Sequence, residues 1–232
     1  VVVAAGVAGI IAIGRDDVVA PVAYFATPAG AWMPAVNDEV ALTGSWFCPG
    51  VPASGEDDIG GEVIISNRAD EQLVGSYSVL TADGQAAEAP VVVEPWSQAV
   101  IDVDSLVTAP FAGVVVEIEG GTGLVEQRAF HPAGDSVSPC ANNTSDEWYF
   151  ADGFTVDGSV ETLILTNPYD DTASVDLKFA TAAGESTPAA FQGLTQDQRT
   201  RVIDLLKQST LDGGVHLVDA LVAGESGVTM EE

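Results

Sequence analysis

Basic residues are almost missing from this chain: among 232 residues there are 7 Lys and Arg against 35 Asp and Glu, a formal charge of −28. A surface of that sign repels phosphate backbones and anionic headgroups, so neither nucleic acid nor polybasic docking on a membrane is expected. Histidine is scarcer still, with only His131 and His216. Two imidazoles are too few for an ordinary zinc site, and no metal or other cofactor is expected. The chain also has no G-x-S-x-G, no G-K-[ST] and no G-x-G-x-x-G after a strand-like run. Serine-hydrolase chemistry and nucleotide binding therefore have no foothold, and the chain reads as a non-enzyme.

Cysteine is limited to Cys48 and Cys140, far apart and without a C-x-x-C pair. In an exported chain one disulfide is the simplest reading, the alternative being two buried thiols. Closing so long a loop would stabilise by roughly 4–5 kcal/mol in the chain-entropy model. Export is suggested by residues 1–14, VVVAAGVAGIIAIG, which carry no charge. As a helix they would cover roughly 21 Å, short of a bilayer core of about 30 Å. No initiator methionine or basic stretch precedes them. They are expected to be the end of a longer signal peptide or membrane anchor, with a buried valine-rich strand as the alternative. Residues 15–43 then form a connecting segment.

What the chain does have is apolar bulk, 47% of its residues, and a duplication. The stretch LILTNPYDDTASVDLKFATAAG at Leu163–Gly184 has a paler copy, VIISNRADEQLVGSYSVLTADG, at Val63–Gly84. Asn67 aligns with Asn167, Asp70 with Asp170, Glu71 with Asp171 and Gly84 with Gly184. Trp46-Phe47 and Trp148-Tyr149 hold nearly the same offset, as do the V-I-D triplets ending at Asp102 and Asp204. A register kept over so much of the chain marks a tandem repeat. In each copy the apolar period is two: Val175, Leu177 and Phe179 alternate with Asp176 and Lys178. Turn residues such as Asn167-Pro168, Asp83-Gly84 and Gly213-Gly214 separate short runs rich in valine and isoleucine. The fold class is thus all-β, with two tandem immunoglobulin-like β-sandwich domains, residues 44–130 and 148–232. Residues 131–147, rich in Pro, Gly, Ser and Asn, form the linker, and the last strand of the second domain is expected to be truncated. TRVIDLLKQS at Thr200–Ser209 has room for a helical turn.

Carboxylates are so common that a pair of them says little. Asp170-Asp171 fits a turn between strands. Asp102-Val103-Asp104 places both acids on the polar face of a strand, and Glu56–Asp58 is a solvated loop without a calcium-binding pattern. The four tryptophans, Trp32, Trp46, Trp96 and Trp148, could form a sugar-stacking platform, but Trp46 and Trp148 occupy equivalent places in the duplication, which favours packing in a core or at a strand start. Trp96 follows Pro95 in a loop and is the candidate for an exposed ligand contact, with sugar stacking as its chemistry. Asn142 and Asn143 head N-x-[ST] triplets, which matter only in a glycosylating source.

The segments SWFCPG (Ser45–Gly50) and WYFADGFTVDGSVETLILTNPYDDTASVDLKF (from Trp148) resemble a family of actinobacterial cell-envelope proteins of unknown function. The resemblance implies a signal-anchored, single-pass membrane protein with a duplicated β-sandwich outside the cell, and it transfers no catalytic residue. The expected role is therefore structural or interactive, in a membrane-anchored or secreted envelope protein. Its expected partners are the membrane, through the N-terminal segment, and a cell-wall glycan or another envelope protein. A carbohydrate- or peptidoglycan-binding module is the alternative.

Overall fold

The computed structural model describes residues 43–55, 59–120, 122–151, 162–181, 184–197, 199–204, 215–223 and 229–231. The expected anchor at 1–14, nearly all of the connecting segment, Trp32 and Glu56–Asp58 lie outside the described residues. Both repeats belong to one compact unit.

The first repeat contributes β1 (Thr43–Ala53), β2 (Gly60–Asn67), β3 (Leu73–Thr81), β4 (Gly84–Val93), β5 (Gln98–Asp102), β6 (Ala109–Glu119), β7 (Gly123–Phe130) and β8 (Ser136–Pro139). They form two antiparallel sheets, ordered β1-β6-β3-β4 and β5-β2-β7-β8. Alternation explains the packing. Val114, Val116 and Ile118 of β6 and Val63 and Ile65 of β2 are buried, whereas Glu117 and Glu119 face water. The inward residues of both sheets join in one core around Trp46, which is 1% exposed. Burying aliphatic side chains of this size contributes about 1.5–3 kcal/mol each.

The second repeat follows the same plan with β9 (Glu147–Ala151), β10 (Thr162–Thr166), β11 (Ala173–Thr181), β12 (Gly184–Ser186), β13 (Leu194–Gln196), β14 (Thr200–Asp204), β15 (Val215–Ala223) and β16 (Thr229–Glu231). Its sheets run β12-β11-β15-β9 and β14-β10-β16. Equivalent strands pair in equivalent register: Thr81 faces Gly84 as Thr181 faces Gly184, and Ser66 faces Gln98 as Thr166 faces Thr200. The long β4 is here broken into β12 and β13. Pro188 and Gly193 flank the break, and a 3₁₀ turn at Ala189–Phe191 drops Phe191 into the core, its ring 4.9 Å from that of Phe179. Thr200–Asp204 is strand, so the start of TRVIDLLKQS holds no helical turn; its remainder lies outside the described residues.

The all-β class is observed, and among the described residues no helix is long and apolar enough to cross a membrane. In the immunoglobulin arrangement the first strand stays with the second and fifth, and the last joins the sixth. Here the pairs β2–β5 and β3–β6 are of that kind, but β1 lies beside β6 and β7 beside β2. Gly120, with φ of 81°, turns the chain out of β6 before β7 begins in the other sheet.

The segment between the repeats is more tightly built in than a connection need be. β8 pairs with β7, Cys140 donates its N–H to Val125 O, and Ala141 bridges to Phe47. Cys140 is bonded to Cys48, both 1% exposed. Directly after Cys48, the ladder between β1 and β6 slips around Pro49-Gly50. Such a bulge bends the strand and frees its carbonyls. Thr166 Oγ1 donates to Pro49 O at 3.1 Å, and its cross-strand partner Thr200 donates to Leu80 O at 3.0 Å while accepting the Gly113 N–H at 2.9 Å. Thr166, Thr200 and Ile164 lie on the face of β10 and β14 turned away from the second core, yet all are buried. The second repeat docks through that face.

Candidate functional site

The turn between β4 and β5 spells Glu94-Pro95-Trp96-Ser97. Ser97 N–H returns to Glu94 O at 3.2 Å, closing the turn. Proline presets φ at the second position, and the third position of such a turn needs positive φ, normally supplied by glycine. Here it holds Trp96, at φ 54°, the one described non-glycine residue with positive φ. A bulky side chain in that region is strained, and strain of this kind concentrates at functional positions. Trp96 is 68% exposed, more than any other large hydrophobic side chain among the described residues.

The indole is nonetheless fixed. Its Nε1–H donates to Asp70 Oδ1 at 2.7 Å. Asp70 belongs to the turn between β2 and β3, and both turns are held by one buried side chain. Asn67 Nδ2 donates to Glu71 O in one turn and to Val93 O and Glu94 O in the other, at 2.7, 3.1 and 3.1 Å. Its Oδ1 accepts Ala69 N–H, and its own N–H donates to Ser97 O. A single asparagine thus sets the two turns side by side and brings Asp70 to Trp96. Gln72 Nε2 bonds Glu94 Oε1 at 2.7 Å across the same pair of turns. Arg68, exposed in the first turn, has no ion pair among the described residues.

In the second repeat Asn167 binds Asp171 O, Gln196 O and Tyr169 N–H in the same way. The exposed side chains of Asp170 and Asp171 are carried on that turn, whose backbone is held by the Asn167 side chain. Tyr169 lies against the first repeat, its ring 6.5 Å from Phe47 and its hydroxyl 3.2 Å from Thr144 Oγ1.

The remaining candidates stay apart. Asp102 ends β5, whereas Asp104 lies in the turn that follows, not on the strand face as expected. That turn is set by Val103 O, which accepts from Leu106 and Val107. Asp104 shares a hydrogen bond with the Asp102 carboxylate, and this, with partial burial and the neighbouring charge, raises its pKa above the ordinary 3.8. Among the described residues no group of three or more His, Cys, Asp or Glu is placed to hold a metal ion. His131 is exposed and its Nδ1 accepts Ala133 N–H; His216 lies on β15. Trp46 is a core residue, and Trp148, half-buried, donates to Ser145 O at 3.2 Å. Asn143 is exposed and Asn142 half-buried beside the joint between the repeats.

The pairing of Asp70 with Trp96 was not legible in the sequence, where the two stand 26 residues apart. The signal that pointed near it was the alignment of Asn67 with Asn167. Compared with family models, curated proteins and solved structures, this chain has no match.

Proposed function

We propose that this is a non-enzymatic extracytoplasmic protein, membrane-anchored or secreted, whose paired β-sandwich repeats serve a structural or interaction role in the cell envelope. The observation that carries the reading is the buried Cys48–Cys140 bridge, which ties β1 to the segment between the repeats. Disulfides of this structural kind persist in oxidising compartments. The apolar, uncharged residues 1–14 support the same address, and the absence of nucleophile and nucleotide motifs supports a role without catalysis. The test is thiol alkylation of protein taken from its native source without reductant. A fully blocked pair supports the reading, and two alkylated thiols sink it.

The repeats are, in this proposal, immunoglobulin-like sandwiches whose first and last strands have exchanged sheets. The β2–β5 and β3–β6 pairs, matched by β10–β14 and β11–β15, support that relationship. Membership of the actinobacterial envelope family is part of the same proposal. It rests on the SWFCPG and Trp148–Phe179 segments, the first of which holds both the bulge and one half of the disulfide.

Exposed Trp96 favours a second reading, a module that binds carbohydrate or peptidoglycan. Retention of the protein on insoluble cell-wall glycan, released by soluble oligosaccharide, tests it.

A further inference from the structure

The duplication supplies a control for what the fold itself requires. In the second repeat the asparagine clasp is built without an indole: the aligned turn reads Gln196-Asp197-Gln198-Arg199, yet Asn167 still bonds Gln196 O and donates to Arg199 O. The clasp therefore does not need Trp96. In the first repeat the same turn carries a strained, 68% exposed tryptophan whose ring edge is pinned by Asp70. The indole fills no core and its backbone conformation is costly, so what it offers is a fixed, open aromatic face.

From this geometry we infer that Trp96 and Asp70 form a subsite for a neutral β-linked pyranose of gluco configuration, stacked by its C–H face on the indole. This rests on the carbohydrate-binding reading and names its site and ligand class. In such a sugar every hydroxyl is equatorial, so the axial C–H groups make a flat, slightly positive apolar face that suits the negative face of an aromatic ring. The hydroxyls then point outward in the plane of the sugar. The two turns that meet at the indole carry groups of both senses to meet them: Asp70, which spends one oxygen on Nε1, then Glu71, the Gln72–Glu94 pair, and the donor Arg68, exposed and without an ion pair among the described residues. A cationic ligand would be drawn by the acids but repelled by Arg68, and it would gain nothing from the donor. Insertion into a bilayer would bury those charges, which is costly. Asn67 is the positioning residue, since it sets the distance between the two turns.

The test follows the Trp96 indole N–H signal by NMR in the whole chain, during titration with cellotetraose, chitotetraose, an α-linked mannotetraose and a lysine-rich peptide. The expected result is a saturable shift with the first two, at least tenfold weaker with mannotetraose. Trp96→Gly removes the strained side chain and restores the residue the turn prefers. It is expected to lose glucan and chitin-oligomer binding, read by calorimetry, while the melting temperature holds or rises. A fall in melting temperature with Trp96→Gly would show the indole to be structural and overturn the proposal. Glycan binding that survives this substitution overturns the site but leaves the carbohydrate reading standing. Binding of no oligosaccharide overturns both, and a shift with the lysine-rich peptide alone assigns the platform to a basic protein partner instead.

Discussion

Asn67 and Asn167, one hundred positions apart, make the same clasp: each Nδ2 donates at 2.7 Å to the backbone carbonyl four residues on, and each Oδ1 accepts the N–H two residues on. Each then reaches across to the turn that precedes β5 in the first repeat and β14 in the second, at Glu94 O and Gln196 O. A buried amide is one of few side chains that can donate twice and accept at once. Replacing either asparagine by alanine should cost about 2–4 kcal/mol, because buried carbonyls lose their partners. Aspartate has no N–H to give, so Asn67→Asp should be at least as damaging at neutral pH. Chemical denaturation of both variants measures this; a loss within about 0.5 kcal/mol, the range of ordinary surface changes, would sink the clasp as a structural element.

The Cys48–Cys140 bridge closes a sequence separation of 92 residues. A serine pair at these positions is expected to destabilise by about 2–5 kcal/mol, chiefly by freeing the unfolded chain. Both cysteines are buried, so reductant should act slowly on the folded protein and quickly once denaturant is added. Mass spectrometry after timed alkylation reads both rates. Rapid reduction under native conditions would contradict the burial.

Gly113 lies flush against the second repeat. A Cβ there would stand 2.6 Å from Thr166 Cγ2 and 2.7 Å from Thr200 Oγ1. Gly113→Ala should therefore strain the joint by about 1–3 kcal/mol. Thr200→Val keeps the shape but strands Leu80 O and Gly113 N–H, at a similar cost of about 1–3 kcal/mol. Calorimetry should show one transition in the parent and two separated ones in the double variant. A single unshifted transition would mean that the repeats are not coupled through these threonines.

Asp104 holds its proton more tightly in the folded state, first through its hydrogen bond to Asp102, then through desolvation and the Asp102 charge. A raised folded pKa means that the native state binds more protons than the unfolded one. The associated stability is present below the ordinary 3.8 and is lost as pH rises through the raised value. Asp104→Asn should flatten this part of the pH profile and leave the variant more stable than the parent near neutrality. Unfolding midpoints of the two proteins across that window decide the matter, and parallel profiles would refute it.

With a formal charge of −28, like-charge repulsion is spread over the whole chain. Monovalent salt should raise the melting temperature steadily as screening shortens the Debye length from about 10 Å at 0.1 M to about 3 Å at 1 M. A flat or falling response in sodium chloride would show that the acids are not mutually destabilising.

Strands, duplication and the bridge were open to inspection in the chain because each leaves a local or countable mark. Val175, Leu177 and Phe179 alternate with polar residues, Asn67 and Asn167 keep their offset, and two cysteines have one pairing to make. The partners of each strand left no such mark. Nothing in the Gly123–Phe130 segment states that it belongs beside β2 and not β6, and the linker composition of residues 131–147 hid a strand. Alternation alone would put Thr166 and Thr200 on an outer face; they form a joint because Pro49, Leu80 and Gly113 lie against them. Trp96 could be picked out as exposed, but its tie to Asp70 needed two turns to meet. The cause is common to all of these. Side-chain alternation follows from backbone geometry one residue at a time, whereas the neighbour of a strand or a turn is settled by how whole faces bury one another.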